Sequence, residues 1–306
     1  MKKISIVSPC YNEEKNLAQV YAEVKNVFVN HLKKYEYEHI FIDNASTDSS
    51  ELILRKIASE DKNVKVILNS RNFGSIKSPI HGLFQATGDA IILLASDLQD
   101  PPNLIIDFVK SWERGNEIII GIKTNTHESK ILFAIGTLYY NLISKISETK
   151  PAKNYNGFGL YDKKIIELIK KLEDPYPYFR GLVFKVGFKI DQIKFVQPKR
   201  NHGISSSNFY SLFDVAMLGI CTNSKIPFRI FTFIGFIMLA FSIATTIIKL
   251  LLGNVFEINL SPTILSLFFL SSLLLLLGGI LGEYISIILT KITKEPLAIE
   301  RERINF

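Results

Sequence analysis

The chain has 306 residues, of which 47% are hydrophobic, and it carries a formal net charge of +7. This length accommodates one large domain with additional elements. The two cysteines, Cys10 and Cys221, lie far apart without the spacing of metal ligands, which argues against a disulfide framework and is typical of a reducing cytosol. No stripe of interleaved basic and aromatic residues is visible, so nucleic acid is not an expected partner.

The first 120 residues alternate between short β-branched runs and segments with apolar residues at helical spacing. The predicted strands cover residues 4–8, 37–42, 64–68, 90–94 and 117–120. The predicted helices cover residues 13–33, 46–58, 76–86 and 102–113. The run 4–8 is too short for a signal-peptide core, so it is interpreted as a buried strand. The alternation predicts an α/β fold with a doubly wound, mostly parallel sheet.

The pattern becomes less regular between residues 131 and 223. Mixed helices, a strand at 193–196, a polar loop at 199–208 and an amphipathic helix at 210–220 are predicted there. We interpret residues 1–225 as one domain with two halves, which meet near residue 125. In doubly wound folds, ligands bind beyond the carboxyl ends of the strands. The polar clusters that follow the first, second and fourth strands are therefore expected to converge on one crevice.

Two long apolar runs, 228–252 and 264–289, follow this domain. Each is long enough to cross a hydrocarbon core, which takes about 20 helical residues. Basic residues flank the pair and are absent from the link between the runs: Lys225, Arg229, Lys291, Lys294, Arg301 and Arg303. By the positive-inside rule, this predicts a transmembrane hairpin in the plasma membrane, with the domain and a basic tail, 291–306, on the cytoplasmic side. The alternative is a pair of buried core helices. Small residues at 278, 279 and 282 would permit homo-oligomer contacts.

Polar clusters follow the first two predicted strands. The first is Pro9-Cys10-Tyr11-Asn12-Glu13, and the second begins with Asp43 and includes Ser46. A carboxylate and an amide at strand ends can bind the base and ribose of a nucleotide. Each cluster also has a plain structural alternative, because Asn, Glu, Ser and Asp commonly start and cap helices.

Two further clusters follow the third and fourth strands. Arg71-Asn72-Phe73-Gly74 places a cation and a glycine before a helix, a combination that suits a phosphate group. In the segment 96–102, the side chains of Asp97, Gln99 and Asp100 can reach one divalent cation. The alternatives are a surface arginine beside a helix-start glycine, and an acidic loop that caps the next helix.

In their order along the chain, these clusters resemble glycosyltransferase family 2, which has the type A (GT-A) fold. The resemblance covers essentially the whole chain and points to the polyprenyl-phosphate branch, to which dolichol-phosphate mannose synthase and bactoprenol glucosyltransferases belong. It implies inverting transfer of a sugar from a UDP- or GDP-linked donor to a polyprenyl phosphate, such as undecaprenyl phosphate, at the cytosolic membrane face. The half up to about residue 125 would bind the nucleotide sugar, and the half at about 126–225 would bind the acceptor.

The resemblance also implies roles for individual residues. Those expected to bind the nucleotide sugar are Pro9, Tyr11, Asn12, Glu13, Asp43, Ser46, Arg71, Asn72 and Gly74. Asp97 and Gln99 are expected to hold Mg²⁺ or Mn²⁺, and Asp97, Asp100 and Arg200 to act in catalysis. The residues expected to bind the acceptor phosphate are Arg180, Lys199, Arg200, His202 and Ser205.

Three positions depart from the family pattern. Ala95 stands where the metal site usually has its first Asp, Asn44 stands where a second Asp is common, and the acceptor loop 197–206 lacks its first Arg and its Lys. A shifted metal ligation in a divergent subfamily is the favoured interpretation. Two alternatives stay open. One is a glycosyltransferase with another lipid or a saccharide as acceptor, and the other is an inactive membrane scaffold subunit, for which Ala95 is the main support.

Overall fold

A computed structural model describes residues 1–125, 152, 154–174, 177–198 and 295–306, together with separate positions between 267 and 293. Its strands are β1 Lys3–Cys10, β2 Glu36–Asp43, β3 Val64–Asn69, β4 Ala90–Leu93, β5 Ile118–Asn125, β6 Gly159–Asp162, β7 Ile190–Val196 and β8 Glu300–Ile304. Its helices include α1 Leu17–Asn30, α2 Ser50–Glu60, α3 Gly74–Gln85, α4 Leu104–Glu113, α5 Lys163–Lys171 and α6 Phe179–Lys185.

The eight strands form one sheet in the order β7-β5-β6-β4-β1-β2-β3-β8. Strands β1 to β4 are mutually parallel, and β7 is parallel to β5. Helices cover both faces of the sheet, so the central strands bury side chains on both sides. The mostly parallel α/β sheet predicted from the sequence is confirmed.

The hydrophobic core has two layers, one on each face of the sheet. On one face, α1, α2 and α4 contribute Val20, Val24, Leu54, Ile105 and Phe108. On the other face, α3, α5 and α6 contribute Ile80, Leu83, Ile165, Ile169 and Leu182. Burial on this scale fixes the strands firmly, so the loops that follow them project from a rigid base.

The structure has an antiparallel strand that the sequence did not predict. β6 lies between β4 and β5 and runs antiparallel to both. Gly159 allows this close approach, because a Cβ atom there would lie 2.4 Å from the carbonyl oxygen of Ile119. The strand has only four residues, and the surrounding sequence shows no clear period, which explains the omission.

The C-terminal segment corrects another expectation. The sequence predicted residues 291–306 as a basic tail outside the domain, but β8 pairs antiparallel with β3 at the edge of the sheet. Glu302 pairs with Arg55 on α2, and Asn305 Nδ2 donates to the carbonyl oxygens of Ala58 and Val64 at 2.6 and 2.8 Å. The alternating charges of β8 were interpreted as membrane-flanking charges, whereas they belong to an edge strand, where charged side chains are common.

The first two helices begin later than predicted. α1 starts at Leu17 rather than at residue 13, and α2 at Ser50 rather than at 46. Residues near the predicted starts instead link the two loops: Asn12 and Glu14 accept hydrogen bonds from the backbone N–H groups of Thr47 and Ser49. The helix starts are therefore predicted about one turn too early, because polar residues at these positions bind a neighbouring loop.

The predicted membrane hairpin falls mainly outside the described residues. Nothing is described of 228–252, and 264–289 is described only at separate positions. Within the described part of the chain, no helix combines the length and apolar character needed to cross a bilayer. The described positions of the second run include well-exposed apolar side chains: Leu267, Leu274, Ile285 and Leu289.

Candidate active site

The carboxyl ends of the parallel strands β1 to β4 lie together at one end of the sheet. A residue with positive φ lies in or next to each loop that follows these strands. These residues are Asn12 (φ 57°), Ala45 (59°), Gly74 (85°) and Leu98 (60°). Non-glycine residues adopt this conformation at an energetic cost, and such positions cluster at functional sites. A ligand site is therefore expected at the carboxyl ends of these strands.

The loops after β1 and β2 are locked together around Asp43. The buried carboxylate of Asp43 accepts hydrogen bonds from the backbone N–H of Ser46, at 3.0 Å, and from its hydroxyl. The Ser46 Oγ in turn accepts from the N–H of Asn12 at 2.9 Å, and Asn12 Oδ1 accepts from the N–H of Thr47 at 2.8 Å. The structure thus brings together three of the predicted nucleotide-binding residues.

Burial shifts the pKa values of two side chains in these loops, Asp43 and Cys10. Desolvation raises the pKa of Asp43 above its ordinary value, although the hydrogen bonds from Ser46 oppose the rise. The thiol of Cys10 lies 3.8 Å from Asp43 Oδ1, and burial, reinforced by the Asp43 charge, raises the pKa of this thiol. Cys10 therefore stays protonated and is a poor nucleophile.

The remaining residues of the first cluster divide between two roles. Tyr11 is 36% exposed at the site edge, while Pro9 lies within β1 opposite Ile42. Glu13 accepts from Asn16 Nδ2 at 2.6 Å, and its own N–H donates to Ser50 Oγ at 3.0 Å. Its exposure leaves Tyr11 accessible to a ligand, whereas the hydrogen bonds of Glu13 give that residue a structural role at the start of α1.

The loop between β3 and α3 carries the predicted phosphate-binding residues. Asn72 Oδ1 accepts from the N–H of Gly74 and from Asn44 Nδ2, both at 2.8 Å. The exposed guanidinium of Arg71 lies 4.1 Å from the centre of the Phe73 ring. Through Asn44, this loop is joined to the end of β2, so the third cluster lies beside the first two.

Burial alternates along the acidic loop after β4. Ser96, Leu98 and Asp100 are buried, whereas Ala95, Asp97 and Gln99 are partly exposed. Asp97 Oδ1 accepts from the N–H of Gln99 at 3.1 Å. Asp97 and Gln99 therefore share the open side of the loop, as a common metal ligation would require. In the described part of the chain, no group of three or more His, Cys, Asp or Glu residues is placed to hold a metal ion.

Asp100 occupies a different position from the one expected of a catalytic carboxylate. It is 2% exposed and accepts from Asn156 Nδ2 at 3.0 and 3.3 Å. Burial raises its pKa to about 6, against the opposing effects of the Lys123 charge and of Asn156. Asp100 thus lies beneath the loop and anchors it, rather than facing the open side with Asp97.

Of the residues predicted to bind the acceptor phosphate, Arg180 lies in the described part of the chain. It lies in the first turn of α6, and its charge acts on two buried tyrosines, Tyr155 and Tyr161. The Tyr161 hydroxyl donates to the carbonyl oxygen of Gly157 at 2.6 Å. The negative charge of Asp100 contributes to the raised pKa of Tyr161. The neighbouring Phe179 packs against Tyr161 with ring centroids 5.0 Å apart, so α6 begins beside β6, the strand next to β4. The other predicted acceptor residues lie outside the described part of the chain: Lys199, Arg200, His202 and Ser205.

Three residues shape the site although the sequence predicts no ligand-binding role for them. Asn44, Asn156 and Cys10 all contact predicted site residues. Asn44 and Cys10 flank strand ends, which is a usable signal, but their contacts depend on neighbouring strands. Asn156 comes from a segment without a recognisable period, so no local signal marks it.

Comparison with known proteins agrees with this architecture. Residues 5–167 match the family described as glycosyl transferase family 2. The bactoprenol glucosyl transferase of Shigella phage SfII is 32% identical over 300 residues, which cover 96% of each chain. The prophage bactoprenol glucosyl transferase homolog of Escherichia coli K12 is 33% identical over 303 residues, which cover 96% of this chain and 97% of that protein.

A solved structure shares the fold. Glucosyl-3-phosphoglycerate synthase from Mycobacterium tuberculosis, solved with Mn²⁺, UDP and phosphoglyceric acid, aligns with a TM-score of 0.51 at 19% identity, covering 72% of this chain and 77% of that chain. The GT-A-like α/β fold and the glycosyltransferase class predicted from the sequence are confirmed. The family match over more than half of the chain, together with the full-length relatives, leads to one conclusion: the chain belongs to glycosyl transferase family 2.

Proposed function

We propose that this glycosyltransferase transfers a sugar from a nucleoside diphosphate sugar to a polyprenyl phosphate at the cytosolic face of the plasma membrane. The named activity of its full-length relatives, bactoprenol glucosyl transferase, supports a polyprenyl acceptor. Undecaprenyl phosphate is the expected acceptor lipid. The observation that carries the proposal is the path of the chain on either side of its apolar runs.

The chain leaves and rejoins the sheet at the same end of its strands, although on the two opposite edge strands. β7 runs parallel to β5, so its last residue, Val196, lies at the end that carries the strand-end loops. β8 runs antiparallel to β3, and Glu300 lies opposite Asn69 at that same end. The apolar runs 228–252 and 264–289 fall between these two points. A bilayer that holds the runs would therefore face the crevice, where a lipid headgroup could enter it.

The pairing of β8 with β3 also bears on topology. Residues of one sheet lie in one compartment, so any membrane crossings between Val196 and Glu300 would have to be even in number. Two crossings satisfy this requirement. The Lys and Arg residues that flank the runs favour the cytoplasmic side for both ends.

The donor would occupy the loops after β1, β2 and β3. In this proposal Asp43, Asn12 and Tyr11 would meet the base and ribose of a UDP or GDP donor, and the exposed Arg71 would meet its phosphates. The interlocked hydrogen bonds hold these groups in place before the ligand arrives, which reduces the entropic cost of binding.

A divalent cation fits the open side of the acidic loop. Asp97 supplies a carboxylate and Gln99 an amide oxygen, and Mg²⁺ is commonly bound by one or two carboxylates together with substrate phosphates and water. When bound, Mg²⁺ or Mn²⁺ would neutralise negative charge on the diphosphate. Ala95 leaves Asp97 as the single carboxylate on this side, so the substrate phosphates would complete the coordination.

The acceptor phosphate would act as the nucleophile. One of its oxygens forms a bond to the anomeric carbon of the sugar, while the bond from that carbon to the nucleoside diphosphate breaks, which inverts the anomeric centre. A phosphate monoester is largely ionised near neutral pH, so no strong general base is required. Arg180 and Arg200, with Lys199, His202 and Ser205, are proposed to pair with this phosphate.

A second candidate, an inactive scaffold subunit, is favoured by one observation, the alanine at position 95. A screen of nucleotide release distinguishes the two. Purified protein in nanodiscs would receive UDP- or GDP-sugars with undecaprenyl phosphate, undecaprenol or diacylglycerol, with and without Mg²⁺. We expect release from one donor that depends on both the lipid phosphate and the cation. Release with undecaprenol or diacylglycerol alone would indicate another acceptor, and no release from any donor would support the scaffold.

A further inference from the structure

Asn44 lies where the ends of three parallel strands converge. It follows Asp43 directly, is 6% exposed, and donates its backbone N–H to the carbonyl oxygen of Cys10 at 3.0 Å. The side chain points toward the loop after β3. Asn44 is thus linked to β1 through its backbone and to the β3–α3 loop through its side chain.

The side chain of Asn44 makes four hydrogen bonds. Its Oδ1 accepts from the N–H of Phe73 at 2.9 Å and from Asn69 Nδ2 at 3.1 Å. Its Nδ2 donates to Asn72 Oδ1 at 2.8 Å and to the carbonyl oxygen of Gly74 at 3.3 Å. A buried amide with four partners has its full hydrogen-bonding capacity satisfied.

Backbone groups fix the orientation of both amides. The N–H of Phe73 can only donate, so the atom of Asn44 that faces it is the oxygen. The N–H of Gly74 donates to Asn72, so the facing atom of Asn72 is also an oxygen. The second atom of Asn44 must then donate to that oxygen, as Nδ2 does. An aspartate at position 44 could accept from Phe73 but could not donate to Asn72 or Gly74.

We propose that Asn44 is a positioning residue for the donor, and that it acts through Asn72 and Gly74 to hold the loop that presents Arg71. The proposal rests on the proposed function, because it takes the nucleoside diphosphate sugar as the ligand of this loop. Asn69 strengthens the arrangement, because its Nδ2 also donates to Ser78 Oγ on α3 at 3.0 Å. Asn44 and Asn69 together connect the loop after β3, β3 itself and α3 to the end of β2 that carries Asp43.

Asn44→Asp tests this role, since it removes two donors and changes little else in shape. We expect the KM for the nucleotide sugar to rise about tenfold or more, with a smaller change in kcat and no change in the KM for the lipid phosphate. Asn26→Asp is the matched control. Asn26 is exposed on α1, and its Oδ1 accepts from Asn30, a role that a carboxylate keeps.

Calorimetry with UDP and GDP separates failure of this proposal from failure of the proposed function. If the wild-type protein binds and transfers while Asn44→Asp binds the same nucleotide equally well, the positioning role is wrong. An equal rise in both KM values would likewise overturn it. If the wild-type protein neither binds a nucleotide nor transfers a sugar, the proposed function itself fails.

Hydrogen exchange on the unaltered protein gives a result even where the variant does not fold. The N–H groups of Phe73 and Gly74 donate to Asn44 and Asn72, so we expect slow exchange without any nucleotide. Exchange at the rate of an open loop would contradict the proposed anchoring. Further protection of this loop on addition of the nucleotide would support the link to donor binding.

Discussion

The two sides of the crevice are built differently. The loops after β1, β2 and β3 bind one another through side-chain to backbone hydrogen bonds, centred on Asp43 and Asn44. In the acidic loop after β4, Asp97 accepts from the backbone of Gln99, and Asn156 anchors Asp100 from below. Within the described part of the chain, the buried hydroxyl of Ser96 has no hydrogen-bond partner.

This difference separates a preorganised region from one that a ligand would complete. Hydrogen bonds fixed before binding spare the donor the cost of ordering its site. The acidic loop instead presents a single partly exposed carboxylate, which gains its function from charges that arrive with the substrate. Substitutions on the two sides should therefore fail in different ways, in affinity on one side and in turnover on the other.

Asp97→Asn should produce the largest effect. It removes the only carboxylate on the open side of the acidic loop and should lower kcat by about 100-fold or more, the scale seen when one preorganised electrostatic group is lost. Transfer assays in nanodiscs would measure it. Asp107→Asn, an exposed change on α4, serves as the control. Full activity of Asp97→Asn would remove Asp97 from the proposed cation site.

Asp43→Asn should weaken donor binding by about tenfold, with kcat less affected. The new amide places an NH₂ group toward Ser46, whose N–H and hydroxyl both donate to position 43. Titration with UDP and GDP would report the loss directly. If kcat alone fell and the nucleotide affinity held, the division between the two sides of the crevice would be wrong.

Asp100→Asn should change the pH dependence of stability. The pKa of Asp100 is raised from 3.8 to about 6, so between these values the folded state binds more protons than the unfolded state. Stability therefore falls as pH rises through this window, by up to about 1.4 kcal/mol per pH unit from this group. Urea unfolding at several pH values would show this contribution as the difference in slope between the wild-type protein and Asp100→Asn. An unchanged slope in the variant would show that Asp100 does not titrate in this way.

Arg55→Ala should have the smallest effect. Arg55 joins Glu51 on α2 to Glu302 on β8, but these side chains are partly exposed. Exposed ion pairs contribute little, so we expect a decrease in the melting temperature of a few degrees at most, and unchanged donor affinity. Deletion of residues 299–306 would test the strand itself, and a domain that kept its full melting temperature without it would show that β8 is dispensable.

The parallel part of the fold could be predicted because each buried strand has its own signal. β1 to β4 are short apolar runs that end in polar clusters, and their common edge follows from the doubly wound pattern. β6 and β8 could not be predicted in the same way. The first is short, and the second is an alternating charged segment whose pairing with β3 is a long-range contact.

The site shows the same limit. Asp43, Ser46 and Asn12 were predicted from their places after the strands, and the structure brings them together. The sequence predicts that Asp100 acts in catalysis and can reach the same cation as Asp97 and Gln99, because it does not reveal that Asn156 holds Asp100 beneath the loop. Asn44 departs from the family pattern, in which an Asp is common at this position. Its four hydrogen bonds now give a physical reason for an amide at that position.

The mass of the lipid product tests the central claim most directly. Protein in nanodiscs would receive undecaprenyl phosphate and the donor from which it releases the nucleotide. Mass spectrometry would then measure the molecular masses of the extracted lipids. Transfer to the phosphate predicts a lipid monophosphate heavier by one sugar residue than undecaprenyl phosphate. A product that lacks the phosphate, or that carries a second phosphate from the donor, would contradict it.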